Sequence, residues 1–172
     1  MYALGVYLFH EKVSAAVFIA AALGLILVRL LLSRSPIARL WRLPLGFAAL
    51  AILVLALADQ RMAAKAYPVM MNLAAASTFV ISLLRPPSLI ERFARIRKPA
   101  LPEGAVGYCR KLTMIWAGWR VVNACIAAAL GEWGSLQAWT LWTGVLSYVG
   151  SAGLFFGEML FRHFSIERSH RP

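Results

Sequence analysis

The sequence predicts an all-α integral membrane protein, a bundle of five transmembrane helices with a short N-terminal apolar segment and a cytoplasmic amphipathic helix. Hydrophobic residues make up 61% of the chain, whereas soluble domains contain about 45–50%. These residues form continuous runs rather than alternating patterns, which favours helices over strands in a bilayer. Lys and Arg gather between the runs, as they do in the loops of membrane proteins.

The apolar runs have lengths close to the ~17–25 residues that a transmembrane helix needs. We expect one transmembrane domain, residues 1–172, with spans at about residues 13–32, 43–58, 67–84, 112–130 and 138–161. Residues 1–9 are also apolar, but a helix of this length measures only about 13 Å and is too short to cross. The sequence leaves open whether this segment dips into the outer leaflet or continues a longer span. A cleavable signal peptide is not expected, because the N-terminal positive charge of such peptides is missing.

The placement of Lys and Arg orients the bundle. Thirteen of these residues lie on one set of loops and three on the other, within a net charge of +11. The positive-inside rule assigns the richer side to the cytoplasm. We therefore predict a multi-pass protein of the bacterial inner membrane, with a cytoplasmic C-terminus and a long cytoplasmic loop at residues 85–111. Membrane lipids are the expected partners, and nucleic acid is not, because no basic domain stands apart from the spans.

Residues 88–98 of that loop predict a basic amphipathic helix. Ser88 and Glu91 have the spacing of a capping box, and apolar residues recur on one helical face. The candidate residues for binding a headgroup or a partner are Arg92, Arg95, Arg97 and Lys98. Two interpretations fit this helix: a connector anchored among anionic lipid headgroups, or a docking surface for an acidic protein.

Arg120 is the most unusual single residue, because it lies inside the fourth predicted span. An unpaired Arg there costs at least about 2.5–3.5 kcal/mol, so a compensating group is expected. Glu158 in the fifth span is the expected partner, and Asn123 lies one turn from Arg120 on the same face. These residues are interpreted either as a structural ion pair that joins two helices or as a polar pocket for a substrate.

A second polar group is expected at the outer mouth of the bundle, where Asp59, Arg61 and Asn72 precede or begin the third span. It fits either a site for lipid headgroups or a polar interfacial loop.

Two further patterns concern packing. Three tryptophans flank the outer turn and predict an aromatic belt: Trp133, Trp139 and Trp142. Small residues along the fifth span predict close helix packing within the bundle: Ser147, Gly150, Ser151, Gly153 and Gly157.

Sequence signatures of catalysis are missing. The chain has no nucleophile elbow, no Gly-rich phosphate loop and no paired carboxylates, and its three histidines lack metal-ligand spacing. Cys109 and Cys125 lie about 24 Å apart along one helix, too far for a disulfide. We expect no catalytic residue, metal or cofactor. Enzymatic activity is not excluded, and the oligomeric state is not predicted.

Two stretches of the chain carry a family resemblance. The motifs are AYPVMMN at residues 66–72, LRPPSLIER at 84–92, YCRKLT at 108–113, GSLQAW at 134–139 and FGE at 156–158. Over residues 60–162 the chain resembles a family of uncharacterised small bacterial inner-membrane proteins. Genes of that family often lie beside genes for aryl-polyene or fatty-acid-like biosynthesis.

The resemblance implies a setting with small acidic acyl carrier proteins and synthases. The leading hypothesis is a non-enzymatic scaffold or accessory protein for acyl-carrier-linked lipid or polyene biosynthesis, docked through the basic helix. The alternative is a transporter or flippase of a lipid or small amphiphile, which would use Arg120, Asn123 and Glu158. An intramembrane acyl or glycosyl transferase is a third interpretation, and it would need polar groups that converge on one site.

Overall fold

The computed structural model describes residues 15–32 and 36–169. Within these ranges the chain forms helices and no strand, which confirms the all-α prediction. The elements are α1 (Ala15–Leu32), α2 (Pro36–Ala58), α3 (Gln60–Leu84), α4 (Leu89–Arg97), α5 (Glu103–Trp133), α6 (Leu136–Leu141), a π-helical turn (Trp142–Leu146) and α7 (Ser147–Ser169). The prediction for residues 1–9 falls outside the described residues, as do the start of the first predicted span and the last residues of the C-terminus.

Three helices begin before the apolar runs that predicted them. Helix α2 begins at Pro36, α3 at Gln60 and α5 at Glu103, each several residues upstream of the predicted span. Lys, Arg, Gln and Glu have good helix propensity, so the backbone stays helical beyond the apolar segment. Pro36 also suits a first helical position, because the missing N–H there would have had no partner.

Three of these helices contain segments long and apolar enough to cross a bilayer: Arg39–Ala58, Met62–Leu84 and Gly104–Trp133. Helix α1 contains a shorter apolar segment, Ile19–Val28. Large apolar side chains are widely exposed on the helices, among them Leu57 at 84% and Phe47 at 71%. Exposed apolar surface of this extent marks a surface that contacts lipid or another protein.

Helices α2 and α3 form a tight pair around a turn at Asp59. The Asp59 carboxylate accepts a hydrogen bond from the Met62 N–H at 3.3 Å, which satisfies a free donor in the first turn of α3. The core of this pair is small and apolar, and it contains Leu45 and Ile52 of α2 together with Ala63 and Ala74 of α3. Ile26 of α1 joins the same cluster. The alanines allow the backbones to approach closely.

Helices α3 and α5 pack antiparallel along their whole length. From one end to the other, four contacts join them in order: Lys65 Nζ to the Gly131 carbonyl at 3.0 Å, Asn72 Oδ1 to Arg120 Nη1 at 3.4 Å, Phe79 stacked on Trp116, and the Leu83 carbonyl to Arg110 Nη1 at 3.1 Å. The contact residues advance along α3 as they go back along α5, so the two helices run antiparallel and this order fixes which parts of them meet.

Helix α7 contacts α5 through part of the predicted small-residue face. The Trp119 indole N–H donates to Ser151 Oγ at 2.9 Å, and a Cβ atom at Gly150 would lie 2.5 Å from the same indole ring. A Cβ atom at Gly153 or Gly157 would meet nothing within 4 Å. The packing role is therefore borne by Gly150 and Ser151, and the predicted Gly153–Gly157 pair packs against no described neighbour.

The predicted aromatic belt divides into three environments. Trp133 is 84% exposed, as a belt residue would be, whereas Trp139 is fully buried. The Trp139 ring lies against Gly131, where a Cβ atom would be 3.6 Å from the indole. Trp142 lines an internal cavity described below. The belt prediction is therefore wrong for Trp139 and Trp142, because the helix after the turn folds back over α5 and carries both rings inward.

The contact between Gly150 and Trp119 generates a stability prediction. We expect Gly150→Ala to lower stability by about 1–3 kcal/mol, since the added methyl group must displace the indole ring or the helix. Gly153→Ala is the matched control, because the same methyl group meets open space there. Thermal unfolding of both variants in the same detergent measures the difference. Equal melting temperatures for the two variants would contradict the packing described here.

Candidate functional site

The side chain of Arg120 projects from the middle of α5. Its guanidinium lies 5.8 Å from the centroid of the Trp116 ring, within the range of a cation–π interaction. Trp116 stacks in turn on Phe79 of α3, with ring centroids 6.5 Å apart. The Arg120 Nη1 atom makes a long hydrogen bond of 3.4 Å to Asn72 Oδ1, and its buried Nε has no hydrogen-bond partner. Among the described residues, no carboxylate forms an ion pair with Arg120.

Two asparagines flank this guanidinium, and their amide orientations follow from their hydrogen bonds. Asn72 Nδ2 donates to the Pro68 carbonyl at 2.8 Å, which turns Oδ1 towards Arg120. Asn123 Nδ2 donates to the Trp119 carbonyl at 2.9 Å. The remaining Asn123 Oδ1 is fully buried and has no partner. A buried polar atom of this kind costs about 1–3 kcal/mol.

These groups line a cavity of about 380 Å³. Its walls come from α2, α3, α5 and the helical segment after the turn, and they include Trp41, Asn72, Arg120, Asn123 and Tyr148. Aromatic rings from three of these elements line the cavity, and among the described residues Arg120 is the one cation in its lining. An aromatic and apolar pocket with a few convergent polar groups is the usual form of a small-ligand site.

Glu158 does not pair with Arg120 in this arrangement. Its Oε1 atom accepts a hydrogen bond from the Tyr108 hydroxyl at 3.0 Å, about three turns along α5 from Arg120. The antiparallel register explains the correction: because Trp119 meets Ser151, the residue of α7 that lies level with Arg120 is close to Tyr148. The expected structural ion pair is therefore replaced by a polar cavity, and Glu158 belongs to the end of the bundle near α4.

The predicted outer mouth also separates into two parts. Asp59 caps the first turn of α3, whereas Asn72 lies about 20 Å further along the helix and contacts Arg120. Arg61 lies in α3, and its side chain is outside the described residues. Asn72 thus belongs to the internal cavity, because thirteen residues of continuous helix from Gln60 carry it into the bundle.

The predicted amphipathic helix is confirmed as α4, and the Glu91 half of its capping box forms, whereas Ser88 Oγ has no hydrogen-bond partner. Glu91 Oε2 accepts from the Ser88 N–H at 3.3 Å, and Leu89 is almost fully buried, with its N–H donating to Ser82 Oγ at 2.9 Å. Phe93 and Ile96 are exposed at 53% and 70%. Helix α4 is therefore tied to the end of α3 at its start and presents apolar side chains outwards at its end.

The four candidate cations of α4 serve two different purposes. Arg92 donates to the carbonyls of Pro87 and Arg85 at 2.7 and 3.0 Å. Arg95 forms an ion pair with Glu91 at 2.7 Å and also donates to the Pro99 carbonyl at 3.0 Å. These two side chains hold the loop together. Arg97 and Lys98 are exposed and make no described side-chain bond, so they are the members of the set that face outwards.

Sequence reasoning predicted Asn72, Arg120 and Asn123 as site residues and missed the rest of the cavity lining, including three residues in and after the turn. Trp142 and Thr143 belong to the π-helical turn, and Tyr148 follows it. The buried Trp142 indole N–H has no partner, and the exposed Tyr148 contributes to the wall opposite Arg120. A π-helical turn shifts the register of the side chains that follow it, and such turns are frequent at functional sites. The i to i+4 spacing of Trp116 and Arg120 was a readable signal for the cation–π contact.

The described residues contain no group of three His, Cys, Asp or Glu side chains placed to hold a metal ion.

No family model matches the chain, and no curated protein or solved structure matches it.

Proposed function

We propose that the protein binds the anionic headgroup of a membrane amphiphile in the Arg120 cavity, as a transporter or flippase of a lipid or small amphiphile. The observation that carries the proposal is a guanidinium that borders a 380 Å³ cavity and forms no ion pair with a described carboxylate. A cation in an apolar bundle is costly without a counter-ion. A bound carboxylate or phosphate would supply that counter-ion.

Hydrogen-bond donors around the cavity support an anionic ligand. Arg120 Nε and Trp142 Nε1 are buried donors without partners, and both side chains line the cavity. Charged hydrogen bonds to such donors are about twice as strong as neutral ones. An anion seated between these donors would satisfy them together, which the long bond from Asn72 does not do.

The walls of the cavity suit the hydrocarbon part of an amphiphile. Phe79, Met71 and Tyr67 contribute apolar surface on the α3 side. Tyr148 lines the cavity and is also 65% exposed on the outside of the bundle. The cavity wall therefore reaches the surface beside α7, and a chain attached to the headgroup can leave the bundle at this point.

The proposal includes the five-span topology. Helix α1 adds a span of 18 residues, or about 27 Å. Residues 136–160 add another of about 37 Å. Exposed apolar side chains on both segments, such as Leu31 at 68% and Val149 at 61%, support contact with lipid. The positive-inside rule then places α4 and the C-terminus in the cytoplasm and the turn at Gly134 outside.

A second candidate is the scaffold function, in which α4 docks an acidic acyl carrier protein or synthase. The observation that favours it is the exposed group of Arg97, Lys98, Phe93 and Ile96 at the end of α4. An apolar contact ringed by cations suits an acidic partner. This surface is smaller than the sequence implied, because Arg92 bonds to loop carbonyls and is not free to face a partner.

The topology predicts a pattern of chemical labelling. In a background with Cys109→Ala and Cys125→Ala, we expect Ser135→Cys to react with a membrane-impermeant maleimide in intact cells. Lys98→Cys should react only after the cells are permeabilised, because α4 lies on the cytoplasmic side. Labelling of both positions in intact cells, or of neither after permeabilisation, would contradict the topology.

The proposed ligand predicts charge-dependent binding. In nanodiscs of neutral phosphatidylcholine, we expect hexadecanoate to change the tryptophan fluorescence of the protein at concentrations at which hexadecanol has little effect. Arg120→Met should weaken hexadecanoate binding about tenfold or more, since charged hydrogen bonds contribute about 1.5–3 kcal/mol.

Arg97→Met is the matched control, because it removes an exposed cation outside the cavity and should bind as wild type does. Arg120→Met is expected to fold, because it removes a partly buried charge that forms no ion pair with a described carboxylate. Equal affinity for hexadecanoate and hexadecanol, or full binding by Arg120→Met, would refute the proposed ligand.

The scaffold candidate predicts salt-sensitive docking. Arg97→Glu with Lys98→Glu should abolish retention of a purified acidic acyl carrier protein by the immobilised full-length protein at low salt. Arg120→Met should leave that retention unchanged. Retention that survives the double charge reversal would remove this candidate.

A further inference from the structure

Asn123 has an acceptor atom without a hydrogen-bond partner, and this atom indicates a second property of the ligand besides its negative charge. Asn123 is fully buried, and its Nδ2 is committed to the Trp119 carbonyl at 2.9 Å. This bond fixes the amide orientation and leaves Oδ1 without a partner. A carboxylate or a fully ionised phosphate would satisfy Arg120 and Trp142, but it cannot satisfy Asn123 Oδ1, because it carries no hydrogen-bond donor.

The spacing of Arg120 and Asn123 sets the distance between the ligand group that would bind Arg120 and the ligand group that would bind Asn123. The residues are three apart on one helical face, so their Cβ atoms lie about 5–6 Å from each other. Both residues line the cavity, and each carries a buried atom without a hydrogen-bond partner, the donor Nε of Arg120 and the acceptor Oδ1 of Asn123. A ligand that satisfies both must carry an acceptor and a donor only a few bonds apart.

We infer that the ligand carries a hydroxyl or amide N–H two to four bonds from its anionic group, and that this donor bonds to Asn123 Oδ1. The inference rests on the proposed function and narrows its substrate class. Hydroxy fatty acids and glycerol-phosphate lipids share this chemistry. Amphiphiles with an anionic group alone, such as simple fatty acids, leave the acceptor unsatisfied.

Two pairs of probes test the inference, and the members of each pair differ by one hydroxyl. The first pair is 3-hydroxyhexadecanoate and hexadecanoate. The second is hexadecanoyl-glycerol phosphate and its analogue on propanediol phosphate, which lacks the free hydroxyl. Binding is measured by tryptophan fluorescence with the full-length protein in neutral nanodiscs. We expect the hydroxylated member of at least one pair to bind about tenfold more tightly, the effect of one satisfied buried acceptor.

The variant Asn123→Leu removes the acceptor at similar volume. It should bind the hydroxylated and plain members of a pair with equal affinity, while its affinity for the plain member stays at the wild-type value and shows that the cavity is intact. Thr143→Val is the matched control, because Thr143 lines the same cavity but already donates to the Trp139 carbonyl at 2.7 Å. It should keep the preference for the hydroxylated member.

The outcomes separate this inference from the proposed function. A preference in the carboxylate pair alone identifies a hydroxy acid, and a preference in the phosphate pair alone identifies a glycerol-phosphate headgroup. Binding that needs Arg120 but shows no preference in either pair, or a preference that survives Asn123→Leu, overturns the inference and leaves the proposed function standing. No Arg120-dependent binding of any of the four probes overturns both.

Discussion

The antiparallel pairing of α3 and α5 brings together the polar groups on which the cavity depends. A charged bond at one end, an amide–guanidinium contact and stacked rings in the middle, and an arginine–carbonyl bond at the other end hold one register. A slip of one residue would rotate Asn72 and Arg120 apart by about 100° of helical turn. The cavity exists because this register brings both residues to one side of the pair, where the last helix completes the wall.

Arg120 illustrates a conflict between stability and function. Its guanidinium is stabilised by the Trp116 ring and a long bond to Asn72, yet its Nε remains unsatisfied. Structure alone would favour an apolar side chain at this position, because buried charges and unpaired donors both destabilise a fold. Sites that bind ligands commonly retain such costly groups. Under the proposed function, the group that destabilises the free protein is also the group that binds the ligand.

The all-helical fold could be predicted from the continuous apolar runs, and the site only in part. The continuous apolar runs predicted the main helices, and Ser88 with Glu91 predicted the start of α4. The partner of Arg120 was not predictable, because tertiary register decides it: Glu158 was the acidic residue in reach by sequence, but α7 packs with Tyr148 near that level. The π-helical turn has no simple sequence signal, so the contribution of Trp142 to the cavity could not be foreseen.

The contact between Gly150 and Trp119 has an evolutionary consequence. The indole occupies the volume that any larger residue at position 150 would need, and its N–H is held by the neighbouring Ser151. A larger residue at position 150 therefore requires a smaller side chain at position 119. In related chains, a residue larger than glycine at this position is expected to accompany a ring smaller than tryptophan on α5. The two positions, distant in sequence, should therefore be inherited as a correlated pair.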